Sequence, residues 1–305
     1  MADTSRTFKS VSIGTFAAAF PDEDACVAYL FHHAGGLAHR CQGADRRPRW
    51  RRVRSAKKYF CADCRKIKGT RSSTAFKDTK IPVRSIFYAM LLMLEMPGHT
   101  SAMFFQRQLG ISGQAAVRLL DRLRLHIAAL EFVRVIGGPG RTVWIDETLV
   151  KRRGQRAPTC VFGITDSENL FLKIVPNRRA QTVLPLIEEA VAPGSVIVTD
   201  GFRSYDRLSD LGWAHHCVNH SKGMWKDEAG RTTAPIDSVW RWLKRQVGGT
   251  NGPASDDKMW SHIKQFLYKF HARADPSAAF WKLVSTYPPP ERSCPDLLRA
   301  EVDGR

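Results

Sequence analysis

Acidic residues are scarce in this chain: 29 Asp and Glu stand against 47 Lys and Arg in 305 residues, leaving a net charge of +18 and a pI near 10.0. A chain so charged adheres to polyanions, with nucleic acid the commonest partner and an anionic membrane surface the rival. Long apolar runs are also missing. The longest, Ile86 to Leu94, stops at Glu95, too short to cross a bilayer, and reads as a core helix. The seven cysteines, Cys26, Cys41, Cys61, Cys64, Cys160, Cys217 and Cys294, are odd in number and mostly scattered. That argues against a disulfide framework and for a reducing, cytoplasmic compartment. Arg6, Lys9 and Val11 to Phe20 mimic a secretory leader only weakly, since polar residues interrupt the stretch and acidic residues follow Pro21.

The positive charge is concentrated. Between Arg40 and Lys80 there are 15 Lys or Arg and 3 Asp or Glu, so 15 − 3 = +12 of the total, a block suited to gripping a phosphate backbone. Changes of pattern divide the chain into five spans. Residues 1–35 form an N-terminal helical segment with an acid-led amphipathic stretch, Glu23 to Phe31; residues 36–78 form a basic, zinc-ribbon-like module. Residues 79–135 read as helical, residues 140–285 as an α/β domain, and residues 286–305 as a disordered tail opening on Tyr287-Pro-Pro-Pro290.

In the basic module, Cys61-Ala-Asp-Cys64 supplies one of the paired turns that a tetrahedral zinc site needs. His39 and Cys41 precede it, so His39, Cys41, Cys61 and Cys64 are the candidate Zn²⁺ ligands. The other reading is a pair of free thiols in a basic loop.

In the helical span, Pro82 can open a helix and Pro97-Gly98 can close it. Ser101 to Leu109, a turn through Gly113 and then Gln114 to His126 have the shape of a helix-turn-helix. Val117, Leu120, Leu123 and Ile127 are expected to face the core, and Arg118, Arg122 and Arg124 to point outward. Arg118 and Arg122 are therefore candidate DNA contacts, against the alternative of a helical hairpin with solvated arginines.

In the α/β span, strand-like runs (Thr142 to Val150, Thr159 to Thr165, Leu170 to Val175, Ser195 to Thr199, Ala214 to Asn219) alternate with helical ones (Gln181 to Val191, Ser204 to Leu211). The first three strands are separated by short turns and should meander antiparallel; later connections are helical and the pairing parallel. That is the order of a ribonuclease H-like mixed sheet. Asp146 and Asp200 fall at the ends of the first and fourth runs, which are neighbours in such a sheet. Alternation puts Asp146 and Glu147 on opposite faces, leaving Glu147 a structural role. Asp237 opens a helix whose apolar stripe is Ile236, Val239, Trp240, Leu243 and Val247. Asp237, Arg241 and Lys244 share one edge of that stripe.

Three carboxylates from two strand ends and a helix can bind a pair of divalent cations that cut or join phosphodiesters. Lys151, Arg152 and Arg153, just past the first strand, are expected on the DNA backbone, as are Arg241 and Arg245. His215, His216 and His220 read as packing or phosphate contacts rather than metal ligands.

These blocks together resemble one family. Trp144-Ile-Asp-Glu-Thr148, Val198-Thr-Asp-Gly-Phe-Arg-Ser-Tyr205, Val218-Asn-His-Ser-Lys222, Ile236-Asp-Ser-Val-Trp-Arg-Trp-Leu-Lys-Arg245 and Thr79-Lys-Ile-Pro82 are similar, in order, to the zinc-ribbon-bearing DDE transposases of bacterial insertion sequences. The group is the ISXO-like one, related to Merlin elements, and the likeness covers roughly residues 22 to 275. It implies that Asp146, Asp200 and Asp237 are the acidic triad, with Lys244 the basic residue seven positions beyond the third acid. It implies two Mg²⁺ (or Mn²⁺) ions, double-stranded DNA as partner at transposon ends and target, and a nucleoid-associated, cytoplasmic enzyme without membrane attachment. A homodimer or larger oligomer on DNA follows from cutting two ends together.

The chain departs from that pattern in three places. The third acid is Asp where Glu is usual; Arg231-Thr-Thr-Ala-Pro235 replaces a stretch with His and Asn; Ala38-His-Arg-Cys41 replaces the first zinc turn. A transposase-derived DNA-binding protein with impaired catalysis, and a ribonuclease H-like nuclease that cuts without joining, are the two alternatives.

Overall fold

The computed structural model describes residues 10–34, 41, 49–53, 58–96, 98, 100–131, 135–151, 157–218, 226–227, 230–247 and 256–287. In chain order the elements are α1 (Ile13–Ala19), α2 (Glu23–His33), β1 (Trp50–Val53), β2 (Lys58–Cys61), β3 (Ile67–Gly69), α3 (Val83–Glu95), α4 (Ala102–Leu109) and α5 (Gly113–Leu130). There follow β4 (Ile136–Gly137), β5 (Thr142–Val150), β6 (Thr159–Thr165), β7 (Leu170–Val175), α6 (Ala180–Ala190), β8 (Val191–Ala192), β9 (Val196–Thr199) and β10 (Ala214–Cys217). The last helices are α7 (Ala234–Val247), α8 (Asp256–Ala272) and α9 (Pro276–Ser285). The described residues fall into two units: one runs to Leu130 and resumes at Ala272, the other is Glu131–His271. The span 140–285 expected for one domain is thus divided, because α9 packs with α2 and α3 in the first unit.

In the first unit the helix starts follow from local chemistry. Ser12, Asp22 and Ser101 each accept a backbone N–H three residues on, capping α1, α2 and α4. Pro82 cannot do this for α3. Instead the Glu23 carboxylate, from α2, accepts the N–H groups of Val83 and Arg84, both at 2.9 Å, and places an anion at a helix N-terminus. Phe16, Phe20, Phe87 and Phe280 are buried together, with Phe16 meeting Phe280 edge-on at 6.1 Å. The stretch 11–20, which mimics a leader in sequence, holds α1 and its buried Phe16. β1, β2 and β3 make an antiparallel sheet, and Phe31 of α2 stacks on Tyr59 of β2 at 3.7 Å.

Helices α4 and α5 are joined by Gly110-Ile-Ser112, with Gly110 at φ +62 closing α4. Leu120, Leu123 and Ile127 are buried as expected, but three expectations for α5 fail. Val117 is 45% exposed, because Ala116, Leu119 and Leu120 take the inward positions of that turn. Arg124 is 5% exposed and lies 3.8 Å from Asp121, so it is a buried, paired group rather than an outward one. Arg122 also turns inward, donating from Nη1 to the Ala75 carbonyl at 2.5 Å; Arg118 is exposed. His126 is buried and donates from Nε2 to the Leu283 carbonyl at 2.9 Å. Tyr287, assigned from sequence to a disordered tail, stacks on the His126 ring at 5.1 Å.

The second unit is a five-stranded mixed sheet in the order β10-β9-β5-β6-β7. β5, β6 and β7 are antiparallel neighbours, while β9 pairs parallel with β5 and β10 parallel with β9. Asp166 fixes the β6–β7 turn by accepting the N–H groups of Glu168 and Asn169, with Ser167 at φ +73. One face carries Val143, Ile145, Phe162 and Ile164 against α6; the other carries Val161 and Leu172 against α7 and α8.

The helix expected over Ser204 to Leu211 is absent. A single 3-10 turn, Arg203–Tyr205, runs into further i→i+3 turns, because Tyr205 and Leu208 are both drawn fully into the core. The short β4–β8 pair was not foreseen. His271 closes the unit: its Nε2 accepts the Leu170 N–H at 3.1 Å, which leaves the proton on Nδ1 to donate to Glu131 at 2.8 Å. Among the described residues, no helix is long and apolar enough to cross a membrane.

Candidate functional site

β5 and β9 pair over three positions only, from Thr142↔Val196 to Trp144↔Val198. Two residues past that last pair, the same step of the register reaches Asp146 on one strand and Asp200 on the other. Asp200 is the first residue beyond β9, as expected. Asp146 is not at a strand end: β5 runs on to Val150, paired with β6 alone. What ends at Asp146 is the partnership with β9.

The faces are as alternation predicts. Trp144 lies against the α7 side of the sheet and Val143 and Ile145 against the α6 side, so Asp146 faces α7 and Glu147 does not. On its face, Asp146 accepts a hydrogen bond at Oδ2 from Trp240 Nε1 at 2.7 Å. Trp240 comes that close because Asp146's partner on β6 is Gly163. A Cβ at Gly163 would lie 2.9 Å from Trp240 Cζ2 and nearer still to Cη2.

The start of α7 is held by β5 as well. Trp144 Nε1 donates to the Thr232 carbonyl at 2.8 Å, and Thr233 Oγ1 donates to Asp237 Oδ2 at 2.8 Å. Ile236, Val239, Trp240, Leu243 and Val247 are all buried, so the apolar stripe read from sequence seats the helix and leaves Asp237 exposed in its first turn. Asp200 accepts the Phe202 N–H at 3.0 Å across Gly201, whose φ of +81 lets the chain turn directly after β9.

Behind the sheet, Tyr205 donates its hydroxyl to Glu147 Oε1 at 2.5 Å. This ties the loop after Asp200 to the residue after Asp146. Burial raises both acids: Asp146 goes to about 7 despite the Trp240 hydrogen bond, with the charges of Asp200 and Asp237 adding to the rise. Glu147 also reaches about 7 through burial, opposed by the Tyr205 hydroxyl and reinforced by Asp146 and Asp200.

Asp146 therefore feels the charges of Asp200 and Asp237, yet the three do not form a group whose oxygens all lie within 4.8 Å. Each lends an oxygen to a local hydrogen bond, and Asp237 has a short arm. A carboxylate offers about four lone-pair sites, so each retains acceptor capacity. A donor set made only of hard carboxylate oxygens fits Mg²⁺ or Mn²⁺.

Around this centre, Arg241, Lys244 and Arg245 are exposed on α7. Arg241 bonds to Ser238 Oγ at 2.8 Å. Lys151 is exposed just past β5, while Arg152, Arg153, His220 and Lys222 lie outside the described residues. His215 Nε2 meets Thr199 Oγ1 at 2.9 Å and His216 Nδ1 accepts from Arg231 at 2.9 Å, which are structural contacts.

Sequence reading missed the roles of Trp240, Gly163 and Tyr205. The signals were there: a buried indole N–H needs an acceptor, and a lone glycine inside an apolar strand marks a close approach.

In the first unit, the sulfurs of Cys41, Cys61 and Cys64 all lie within 4.8 Å of one another, with Cys41 and Cys61 3.3 Å apart. His39 lies outside the described residues. The hydrogen bond with Cys61, then burial, pushes the Cys41 thiol up to about 12. Burial also acts to raise Cys61, but hydrogen bonds from the Cys64 backbone, Cys41 and the Asp63 backbone outweigh it and lower the thiol overall. Arg65, at φ +60, closes the turn that aims those N–H groups at the sulfur. Three thiols gathered this way, two of them on one turn, could supply three of the four ligands that a tetrahedral zinc site needs.

An "Uncharacterized transposase-like protein" of Haemophilus influenzae is 36% identical over 83 residues, which is 27% of this chain and 66% of that protein, just under two thirds of its length. A chain of the cryo-EM structure of the simian T-cell lymphotropic virus intasome in complex with PP2A regulatory subunit B56 gamma overlaps 64% of this chain and 75% of its own, at 12% identity. Its TM-score of 0.31 is too low to bear on the fold. Residues 137–271 match the model of the ISXO2-like transposase domain, which spans the whole sheet together with Asp146, Asp200, Asp237 and Lys244. Over those residues the chain is similar to the ISXO2-like transposases.

Proposed function

We propose that the chain is an insertion-sequence transposase that binds the element's terminal inverted repeats and cuts and rejoins DNA strands with Asp146, Asp200 and Asp237. The observation that carries this reading is the shared register step of Asp146 and Asp200 where β5 and β9 part, with α7 bonded to Asp146 through Trp240. The strand order, three antiparallel neighbours followed by two parallel ones, supports a ribonuclease H-like sheet. When bound by the three carboxylates, a pair of Mg²⁺ or Mn²⁺ ions supplies activation of an attacking oxygen and stabilisation of the leaving one.

The protein's own part is to position. β5 and the turn at Gly201 hold two acids level, Thr233 holds the third, and Lys244 and Arg241 hold the phosphate beside the one attacked. Arg245 and Lys151 extend the backbone grip, with Arg152 and Arg153 next in the chain. Arg118, exposed on α5, serves end binding through the helix pair α4–α5, read as a helix-turn-helix; Arg122, pinned to Ala75, contributes structure instead. Cys41, Cys61 and Cys64 hold Zn²⁺ with His39 as the fourth ligand. The enzyme acts in the cytoplasm at the nucleoid, as a homodimer or larger assembly, since two ends are processed together.

A second reading, a transposase-derived DNA-binding protein with impaired catalysis, is favoured by one observation: the three carboxylates, Asp237 among them, do not close within 4.8 Å. Incubation with Mg²⁺ and linear DNA carrying the cognate ends separates the two. Cutting with joining supports the transposase, and binding alone supports the impaired form. Asp146→Asn should abolish cutting while end binding persists.

A further inference from the structure

We propose that Trp242 is a stacking platform for an unpaired base of the DNA strand held at α7, an inference that rests on the reading of this chain as a DNA-acting transposase. Trp242 is 49% exposed, and it is the sole aromatic among the exposed large hydrophobic side chains of the described residues. Every other described Trp is buried or half-buried. An indole this open offers a flat apolar face on which another ring can stack. Among the described residues, Trp242 has no ring or cation partner.

Its surroundings select the occupant. Arg241, Lys244 and Arg245 are exposed beside it, and among the described residues none of the three reaches a carboxylate. Steps of about 100° per residue order the outer surface of α7. Asp237 and Lys244 lie on one flank of the buried stripe, Arg241 and Arg245 lie farthest from the sheet, and Trp242 lies on the opposite flank. A strand crossing the helix would meet an acid, then cations, then an aromatic face.

The crossing is about 10 Å, the width of a helix, or roughly three nucleotides at about 3.4 Å each. A phosphate near Asp237 thus puts a base a few positions away at Trp242. Bases inside a duplex have no free face to offer, so the fitting ligand is an unpaired base next to a strand end. A second copy of the chain fits less well, because a twofold contact centred on Trp242 would set these cations against themselves.

The test uses the full-length protein and two DNA probes carrying 2-aminopurine near one end: a blunt duplex, and the same duplex with a three-nucleotide overhang holding the reporter. The wild type should bind the overhang probe about tenfold more tightly and change the reporter's emission on binding. Trp242→Leu should erase both effects while blunt-duplex affinity holds, and Trp242→Phe should keep most of the preference.

Equal loss on both probes in Trp242→Leu, an unaltered preference, or a change of oligomer mass with the preference intact would each overturn the proposal. Wild-type binding to both probes without preference defeats this inference alone. Failure to bind either probe defeats the transposase reading with it.

Discussion

Trp240 reaches across from α7 to donate its indole N–H to Asp146 at 2.7 Å, and it can do so because Gly163, the residue paired with Asp146 on β6, has no side chain. One ring thus sets the distance between the helix bearing Asp237 and the strand bearing Asp146.

Gly163→Ala tests that arrangement. The added methyl must displace a ring wedged into a filled core, at a cost of about 1–3 kcal/mol in stability. Because α7 moves with the ring, DNA cleavage in Mg²⁺ should fall on the order of ten- to a hundredfold. Thermal melting and a cleavage assay on the same preparation check both; unaltered cleavage would show that Trp240 does not position the acids.

Tyr205→Phe removes the hydroxyl that Glu147 accepts at 2.5 Å. Burial, opposed by that hydroxyl, holds Glu147 near 7, so its carboxylate forms in the folded chain only as pH rises through 7. The native hydrogen bond favours the charged form, and its loss should cost more at pH 8, on the order of 1.5–3 kcal/mol, than at pH 5, about 1 kcal/mol. Urea denaturation at the two pH values measures the difference.

In the first unit, burial holds His126 down to about 4, against 6.5 when free. A depressed histidine contributes stability that is complete above 6.5 and is lost as pH falls from there through 4, because the unfolded chain takes up the proton first. His126→Gln should flatten the acid limb by on the order of 2 kcal/mol at pH 4 relative to pH 7. Parallel acid limbs in wild type and variant would disprove the assignment.

Zinc at Cys41, Cys61 and Cys64 predicts about one Zn²⁺ per chain by elemental analysis, and its loss in Cys61→Ser. A strong chelator should lower the melting temperature of the wild type and leave that of Cys61→Ser unmoved.

The sequence was most legible where spacing alone decides structure. The strand runs of the second unit, the faces of Asp146 and Glu147, and the stripe on α7 all follow from periods of two and about 3.6 residues. It was less legible where tertiary partners overrule local pattern. Val117 has the spacing of a core residue but lies one position off the face that α5 buries. Arg124 looks solvated in sequence and is buried beside Asp121. Ser204 to Leu211 has helical composition, yet two core anchors, Tyr205 and Leu208, pull it into successive turns. The level placement of Asp146 and Asp200 depended on the register between strands far apart in the chain, which no local pattern encodes.

The hydrogen bond joining Glu131 to His271 marks where the chain enters and leaves the second unit, and it bears on the order of synthesis. A ribosome completes residues 131–271 before α9 emerges, so the sheet has all its strands while the first unit still waits for Phe280 to fill its aromatic core. The inserted unit is therefore free to fold early, and the N-terminal helices, though made first, finish last, the reverse of the usual vectorial sequence.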